Sequence, residues 1–349
     1  MKEKKKHPCL RRRIYWGLGL SGLLIVGSLL FTTYQSIQQQ KQTLLNEQQR
    51  LAHLDVEKLE LPFLINTVDE IGGADLQYHW KELVAIASVQ TRNYPDQITE
   101  EQLTDVAKQF HGKNGIQSFE TVVKTQLQNV PEELSAEDGY KKKERREREK
   151  ERQQIIQANT EFETLAHQYL EDLTYAGYTP EKLVPEAKET QFIEQVKPGA
   201  IENYQRYGIL PSITIAQAIL ESNWGQSQLA QEGKNLFGVK VGYDWTGDVI
   251  TLDTREFYDT WIQDDFRKYQ DVTNSILDHG KFLVENPRYT EAGVFKRQTY
   301  RQQAQALQNA GYSTDQNEAG EYVYAEKLGA LIRQYNLQLI DHDVLHPEN

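Results

Sequence analysis

The chain has 349 residues, enough for two domains with connectors, and a formal net charge of −12. The charge is uneven: residues 1–13 carry +6, with Lys2, Lys4, Lys5, Lys6, Arg11, Arg12 and Arg13 set against Glu3, so the remainder carries −18. A body that acidic argues against nucleic acid, whose phosphates need a basic footprint, and against a purely electrostatic hold on an anionic surface.

Residues 14–34, IYWGLGLSGLLIVGSLLFTTY, contain no charge. That is about the length that spans a bilayer core of ~30 Å at 1.5 Å per residue. Tyr15, Trp16 and Tyr34 stand where interfacial aromatics would, and the basic tail 1–13 before the span predicts a cytoplasmic N-terminus with the rest of the chain extracytoplasmic. A cleaved signal peptide would have a shorter apolar run and end in a small-x-small site, whereas this run ends LLFTTYQS. A single-pass membrane anchor is therefore the expectation. The single cysteine, Cys9, precedes the span, so the outer portion holds no disulfide, the build of many exported proteins of Gram-positive bacteria.

Residues 35–61 are Gln-rich, with Leu44, Leu45, Leu51, Leu54 and Leu59 at roughly helical spacing. They predict a helical stalk, with self-association as one use of it. A small helical module follows over 62–130. Thr99 before Glu100 and Glu101 reads as a helix N-cap. The stretch around Trp80–Gln90 has the cadence of lysozyme-like helices, but Gln90 stands where such enzymes carry their acid. An amide cannot donate that proton, so the module reads as structural, regulatory or a degenerate lysozyme-like domain. Asp69, Glu70 and Glu82 are the carboxylates nearby.

Residues 131–155 form a charged linker helix. Its run Lys141–Arg152 mixes signs through Glu144, Glu147, Glu149 and Glu151, which suits a solvated spacer better than a basic patch. The C-terminal domain is expected over 156–345. It would begin with an amphipathic helix striped by Phe162, Leu165, Ala166, Tyr169, Leu170 and Leu173, a Gly177–Pro180 turn and two short helices.

The most informative stretch is Ile209–Gly238. Pro211 suits a first helical turn, with Ser212 or Thr214 as cap, and an apolar run from Ile215 to Leu220 ends in Glu221. A carboxyl at the end of a buried helix either surfaces to bond a cap or is held neutral for use as a general acid. From Val239 to Tyr269, short alternating segments such as VITLDT and REFYDTW, broken by Gly242, Gly247 and Asp253, predict a small antiparallel β lobe.

The string AQAILESNWG with NLFGVK, followed by DDFRKY (264–269), NPRYTEAG (286–293), AGYSTD (310–315) and YAEKL (324–328), resembles the bacterial peptidoglycan N-acetylglucosaminidases of glycoside hydrolase family 73 over roughly 190–340. The resemblance implies a lysozyme-like α+β domain, mainly helical with a small β lobe, with Glu221 as general acid. It also implies Glu256, in Thr254-Arg255-Glu256-Phe257, as the second catalytic carboxylate, and Tyr324 beside Glu221. A solvent-facing strand Glu is an equal reading of Glu256, and the substrate's own acetamido group is an alternative to any second carboxylate. Asn223, Trp224, Asn235, Phe237, Tyr312 and Asp315 are the implied substrate contacts. Packing is as good a reading of Trp224 and Phe237, and turn-making of Asn235. Lys281, Arg288 and Tyr289 read as scaffold. The insertion QNEAGEYV leaves the placement of Tyr324 open.

His279 is the single His between 168 and 340, so no metal ligand set is apparent and no cofactor is expected. The partners implied are peptidoglycan glycan strands, with cell-envelope proteins as further candidates through the stalk and the 62–130 module. The alternatives are a muramidase or lytic transglycosylase, and a catalytically silent wall-binding scaffold.

Overall fold

The computed structural model describes residues 53–91, 97–113, 115–133, 141–243, 245–256 and 260–347; the side chains of 254–256, 260 and 261 lie outside that description. The tail 1–13, the expected anchor 14–34 and the stalk as far as residue 52 also lie outside it. Among the described residues no helix is long and apolar enough to cross a membrane.

Leu54–Asn349 form one compact unit with two hydrophobic cores. The first core belongs to a helical module of α1 (Leu61–Gly72), α2 (Trp80–Gln90), α3 (Glu100–Phe110) and α4 (Phe119–Gln126), with a two-residue-per-strand hairpin of β1 (His111–Gly112) and β2 (Gly115–Ile116). Every residue from Trp80 to Val89 is buried, so α2 is the module's central helix rather than a one-sided one. Thr99 caps α3 as expected, in a full capping box with Gln102. Gln90 ends α2 exposed and hydrogen-bonds Gln126.

Two boundaries differ from the sequence expectation. Leu54 and Leu59 are not on a stalk helix: a 3-10 turn at Val56–Lys58 lays them into the module core, and the Leu54 amide donates to Asp172. The charged linker and the amphipathic stripe form one helix, α5 (Lys142–Asp172), exposed along the charged run. Its apolar end, Leu165, Ala166, Tyr169 and then Leu173, completes the first core and not the C-terminal one. Periodicity finds the stripe but cannot say which neighbour it meets.

The second core is built from α6 (Lys188–Tyr207), α7 (Pro211–Ser222), α8 (Gln228–Gly233), α9 (Val272–Glu285), α10 (Pro287–Glu291), α11 (Tyr300–Asn309), α12 (Tyr324–Gln334) and α13 (Leu337–Leu345). The two short helices expected before Ile209 are one, α6, running through Pro198. Burial of Phe192, Val196 and Ala200 along it offsets the hydrogen bond that proline removes. Side chains of α6 press against α9 at Gly280, where a Cβ would stand 1.9 Å from Asn203 Oδ1. The expected β lobe is an antiparallel hairpin of β3 (Val249–Glu256) and β4 (Thr260–Arg267), in register from Val249 opposite Arg267 to Glu256 opposite Thr260. Of the REFYDTW segment, Arg255 and Glu256 end β3 and Thr260 and Trp261 begin β4, and residues 257–259 lie outside the described residues.

The two cores meet across a buried polar seam. Gln77 receives the Tyr300 amide and donates to the Gln338 carbonyl (2.9 Å) and to Asp341 (3.2 Å). Trp80 Nε1 donates to Asn336, whose amide donates to the Ala176 carbonyl. Asp69 accepts from the Tyr300 hydroxyl and from Arg301 Nε. Of the carboxylates noted near Gln90, Asp69 is thus committed to the seam, and Glu82 is buried with an unpaired Oε2 and faces Asp343.

Candidate active site

Helix α7 starts at Pro211, but neither Ser212 nor Thr214 caps it, and both are fully buried. The cap comes from across the fold: Asp341 on α13 accepts from the Ser212 amide at 2.8 Å and its hydroxyl at 2.5 Å. Carboxyl oxygens there accept from the free N–H groups of the first turn. The far end stops abruptly because Asn223, Trp224 and Gly225 all have positive φ (49°, 59° and 69°). Ser222 ties the turn by donating to the Ala218 carbonyl and accepting from the Gly225 amide. Gly225 is required twice over, by its φ and because a Cβ would meet Phe192 at 2.8 Å.

This turn leaves Glu221 as the last acidic side chain of a buried helix, at the mouth of a cleft of about 680 Å³. Phe237, His279, Arg288, Tyr289 and Tyr312 also line it. Glu221 is exposed by surface area, yet the cleft walls crowd water away from its carboxyl. That desolvation raises its pKa, as does the charge of Asp315; Tyr324 and Lys327 pull the other way. The concave position reconciles the two facts, because the side chain sees solvent along one direction and protein along the rest.

Tyr324, 1 % exposed at the start of α12, points its hydroxyl at Glu221 Oε1, 3.5 Å away. The insertion 316–323 does not displace it: Gln316 pairs with Tyr322, and the Val323 amide donates to the Asp315 carbonyl, so the excursion closes on itself. Tyr312 stacks on Tyr324 with ring centroids 5.1 Å apart, and burial pushes both phenols well above their ordinary pKa. Gln217, one turn before Glu221 on α7, donates to the Tyr324 hydroxyl at 3.0 Å. His279 stacks face to face on Phe237 at 4.0 Å, and its Nε2 lies 3.0 Å from the Tyr312 hydroxyl. Burial pushes this imidazole down to about 3, so it is neutral at ordinary pH.

The structure brings Glu221, Phe237, Tyr312 and Tyr324 together. Asn223 is exposed at the helix end beside them, and Asp315 is ion-paired to Lys327 at 2.8 Å, close enough to act on Glu221 through its charge. Two expected substrate contacts are scaffold. Asn235 spends its amide on the Val239 and Arg267 carbonyls and its oxygen on the Phe237 and Val239 amides, which fixes the turn into the β lobe. Trp224 packs edge-on against Phe192 and Tyr335 and does not line the cleft. Glu256 ends β3 at the hairpin's far end, and its side chain lies outside the described residues. Conversely, Arg288 and Tyr289, read as scaffold, line the cleft, with Arg288 donating to the Tyr289 hydroxyl. Gln217 and His279 carried no motif signal beyond their place among apolar neighbours.

Residues 197–337 match the family described as mannosyl-glycoprotein endo-beta-N-acetylglucosaminidase. The chain therefore carries a glucosaminidase domain of glycoside hydrolase family 73. It is the domain of a hydrolytic enzyme. The exo-glucosaminidase LytG of Bacillus subtilis (strain 168) is 36% identical over 182 residues, covering 48% of this chain and 61% of that protein. The peptidoglycan hydrolase FlgJ of Salmonella typhimurium is 38% identical over 137 residues, covering 37% of this chain and 41% of that protein. The chain thus spans less than two thirds of the length of either relative. The solved catalytic domain of the autolysin Auto from Listeria monocytogenes shares 33% identity, covers 44% of this chain and 87% of that one, and gives a TM-score of 0.39. The glucosaminidase domain begins within α6 and ends where α13 begins, so the module with the first core lies wholly outside the match.

Proposed function

We propose that the protein is a peptidoglycan hydrolase that cleaves the β-1,4 bond on the reducing side of N-acetylglucosamine within glycan strands, with Glu221 as general acid. The observation that carries this reading is a desolvated carboxyl with a raised pKa at the mouth of the glucosaminidase domain's cleft, faced by the Tyr324 hydroxyl. A raised pKa keeps the proton on Glu221 at a pH where an ordinary glutamate has lost it. In the reaction that proton moves to the leaving glycosidic oxygen as the C1–O bond breaks. The oxocarbenium-like centre then takes water, or first the substrate's acetamido oxygen and then water. Glu256 is the candidate to activate that water from the hairpin. Phe237 and Tyr312 offer aromatic walls to sugar rings, and Asn223 and Asp315 offer polar contacts at the rim. Residues 14–34 would anchor the chain in the membrane with the enzyme outside, which brings an acidic body to an anionic wall without electrostatic help.

The test is digestion of purified peptidoglycan by the full chain and by Glu221→Gln, read by turbidity and by mass spectrometry of reduced products. Reducing-end N-acetylglucosamine from the parent, with activity lost in a folded variant, supports the reading. Reducing muramic ends would make it a muramidase, and anhydromuramic ends a lytic transglycosylase. Wall binding without cleavage would leave a scaffold. Loss of membrane association on deleting 14–34 tests the anchor.

A further inference from the structure

We propose that Arg288 reads a carboxylate on the sugar next to the scissile N-acetylglucosamine, so that the cleft selects acidic wall glycan over a neutral polymer of N-acetylglucosamine. The inference rests on the hydrolase reading and deepens it by naming a substrate group that a side chain other than Glu221 recognises. Among the described residues three cations line the cleft: Lys240, Arg267 and Arg288. Lys240 is paired with Asp264, and Arg267 gives Nη1 to both oxygens of Asp278, at 2.9 and 3.1 Å. Arg288 has no carboxylate partner among the described residues; its two hydrogen bonds go to neutral oxygens. Nη1 donates to the Gly311 carbonyl at 3.2 Å and Nη2 to the Tyr289 hydroxyl at 2.6 Å. The guanidinium also lies over the Tyr289 ring, 4.6 Å from its centroid, and that ring is itself buried. Two of the five N–H groups therefore hold Arg288 to the wall, and three remain for a ligand.

A pinned guanidinium with its charge unneutralised suits a carboxylate, which it can meet with N–H groups in a fixed fork and with little rotamer freedom left to lose. Ser313 and Thr314 follow Gly311 along the same wall. Ser313 Oγ accepts from the Asp315 amide, so its own hydrogen is available to the same anion. The proposed substrate carries such an anion. In peptidoglycan, N-acetylglucosamine alternates with a sugar whose lactyl ether ends in a carboxyl, either free or extended by a peptide stem with carboxyls of its own. A cleft that seats N-acetylglucosamine at Glu221 therefore seats a carboxyl-bearing unit beside it. A local cation is needed there, because the net charge of −12 repels an anionic strand, as do Glu221 and Asp315 close by. A neutral polymer offers Arg288 nothing to pair with.

The experiment measures binding by calorimetry, with the full chain carrying Glu221→Gln so that no strand is consumed. The probes are stem-bearing glycan strands and amidase-stripped strands, each with its carboxyls free or converted to methylamides. Free-carboxyl strands should bind about tenfold more tightly than their methylamides, as expected for hydrogen bonds to a charged group. Adding Arg288→Gln should abolish that preference while leaving affinity for the methylamides within about twofold. Arg288→Lys, which keeps the charge without the fork, should retain part of the preference, and it decides if Arg288→Gln does not fold. A preference on stripped strands assigns the carboxylate to the lactyl group, and one confined to stem-bearing strands assigns it to the stem. Equal affinity for free and methylamidated strands of both kinds overturns the proposal. So does an Arg288 variant that weakens both forms alike, which is the result of a merely structural hold on Gly311 and Tyr289. In the chain with Glu221 intact, Arg288→Gln should raise KM about tenfold on free-carboxyl strands with kcat unchanged. If that chain cleaves no strand, the hydrolase reading fails, while an Arg288-dependent preference in binding would stand.

Discussion

Asp69→Ala should loosen the seam between the module and the glucosaminidase domain. Asp69 Oδ2 accepts from the Tyr300 hydroxyl and from Arg301 Nε at 3.0 Å, and Arg333 Nη1 stands 3.9 Å away. The Asp69 side chain is 11% exposed, but those of Arg301 and Arg333 are 36% and 25% exposed. Removing the carboxylate deletes two hydrogen bonds that involve a charge, each worth about 1.5–3 kcal/mol when desolvated. Both guanidiniums reach water and recover part of their hydration, so the cost falls well short of the ~3–5 kcal/mol of breaking a fully buried pair. We expect about 2–3 kcal/mol, still well above the ~0–1 kcal/mol of a surface ion pair. Urea denaturation of the full chain measures it, and a double-mutant cycle with Tyr300→Phe should show coupling of about 1 kcal/mol. A loss under about 0.5 kcal/mol would mean that the seam is held by apolar packing alone and that this reasoning is wrong.

Three further outcomes follow from particular contacts. Gly280→Ala should cost more than about 2 kcal/mol, read as a lowered Tm, because its Cβ would lie 1.9 Å from Asn203 Oδ1 and 2.6 Å from Tyr207. Trp224→Ala should cost about 2 kcal/mol of stability through lost contact with Phe192 and Tyr335 while leaving KM unchanged, since the indole does not line the cleft. Burial raises the Asp341 carboxyl to about 7, so the folded state holds a proton that the unfolded state releases near pH 4. Its stabilising contribution is complete below that value and is lost as pH rises through 7. The Tm of Asp341→Asn relative to the parent should therefore climb between pH 5 and pH 8, and a flat difference would refute the assignment.

How much of this was legible in the sequence depended on whether the signal was local. Pro211 at a first turn, Thr99 as a helix N-cap and the alternation of the β lobe are written within a few residues, and all appear where expected. Glu221 and Tyr324 came from motif order and stand together in the fold, 3.5 Å apart. Partners distant in the chain were not legible. Asp341 caps α7 from 129 residues away, and nothing near Ser212 announces it. Trp224 and Asn235 sit inside the strongest motif, yet they hold its shape, because a motif records a turn's needs as faithfully as a substrate's.

The arrangement of helix ends makes the module part of the enzyme's construction and not an appendage. Helix α7 has Asp341 and the seam at Ser212 and the candidate acid at Glu221, nine residues or about 13 Å further on. Helix α12 begins with Tyr324 beside Glu221 and carries Arg333 at the seam, and α11 begins at the seam with Tyr300 and leads out to Tyr312. Glu221, its neighbour Tyr324 and the cleft residue Tyr312 thus each lie at or beyond the far end of an element that Gln77 or Asp69 ties to the seam. A fragment starting at residue 156 would keep the Leu165–Leu173 stripe but lose the core it fills, along with both of those anchors. Such a fragment would expose apolar surface and leave Tyr300, Arg301 and Arg333 without their acid. Its inactivity would then report on folding and say nothing about Glu221, so the chemistry has to be tested with the module in place.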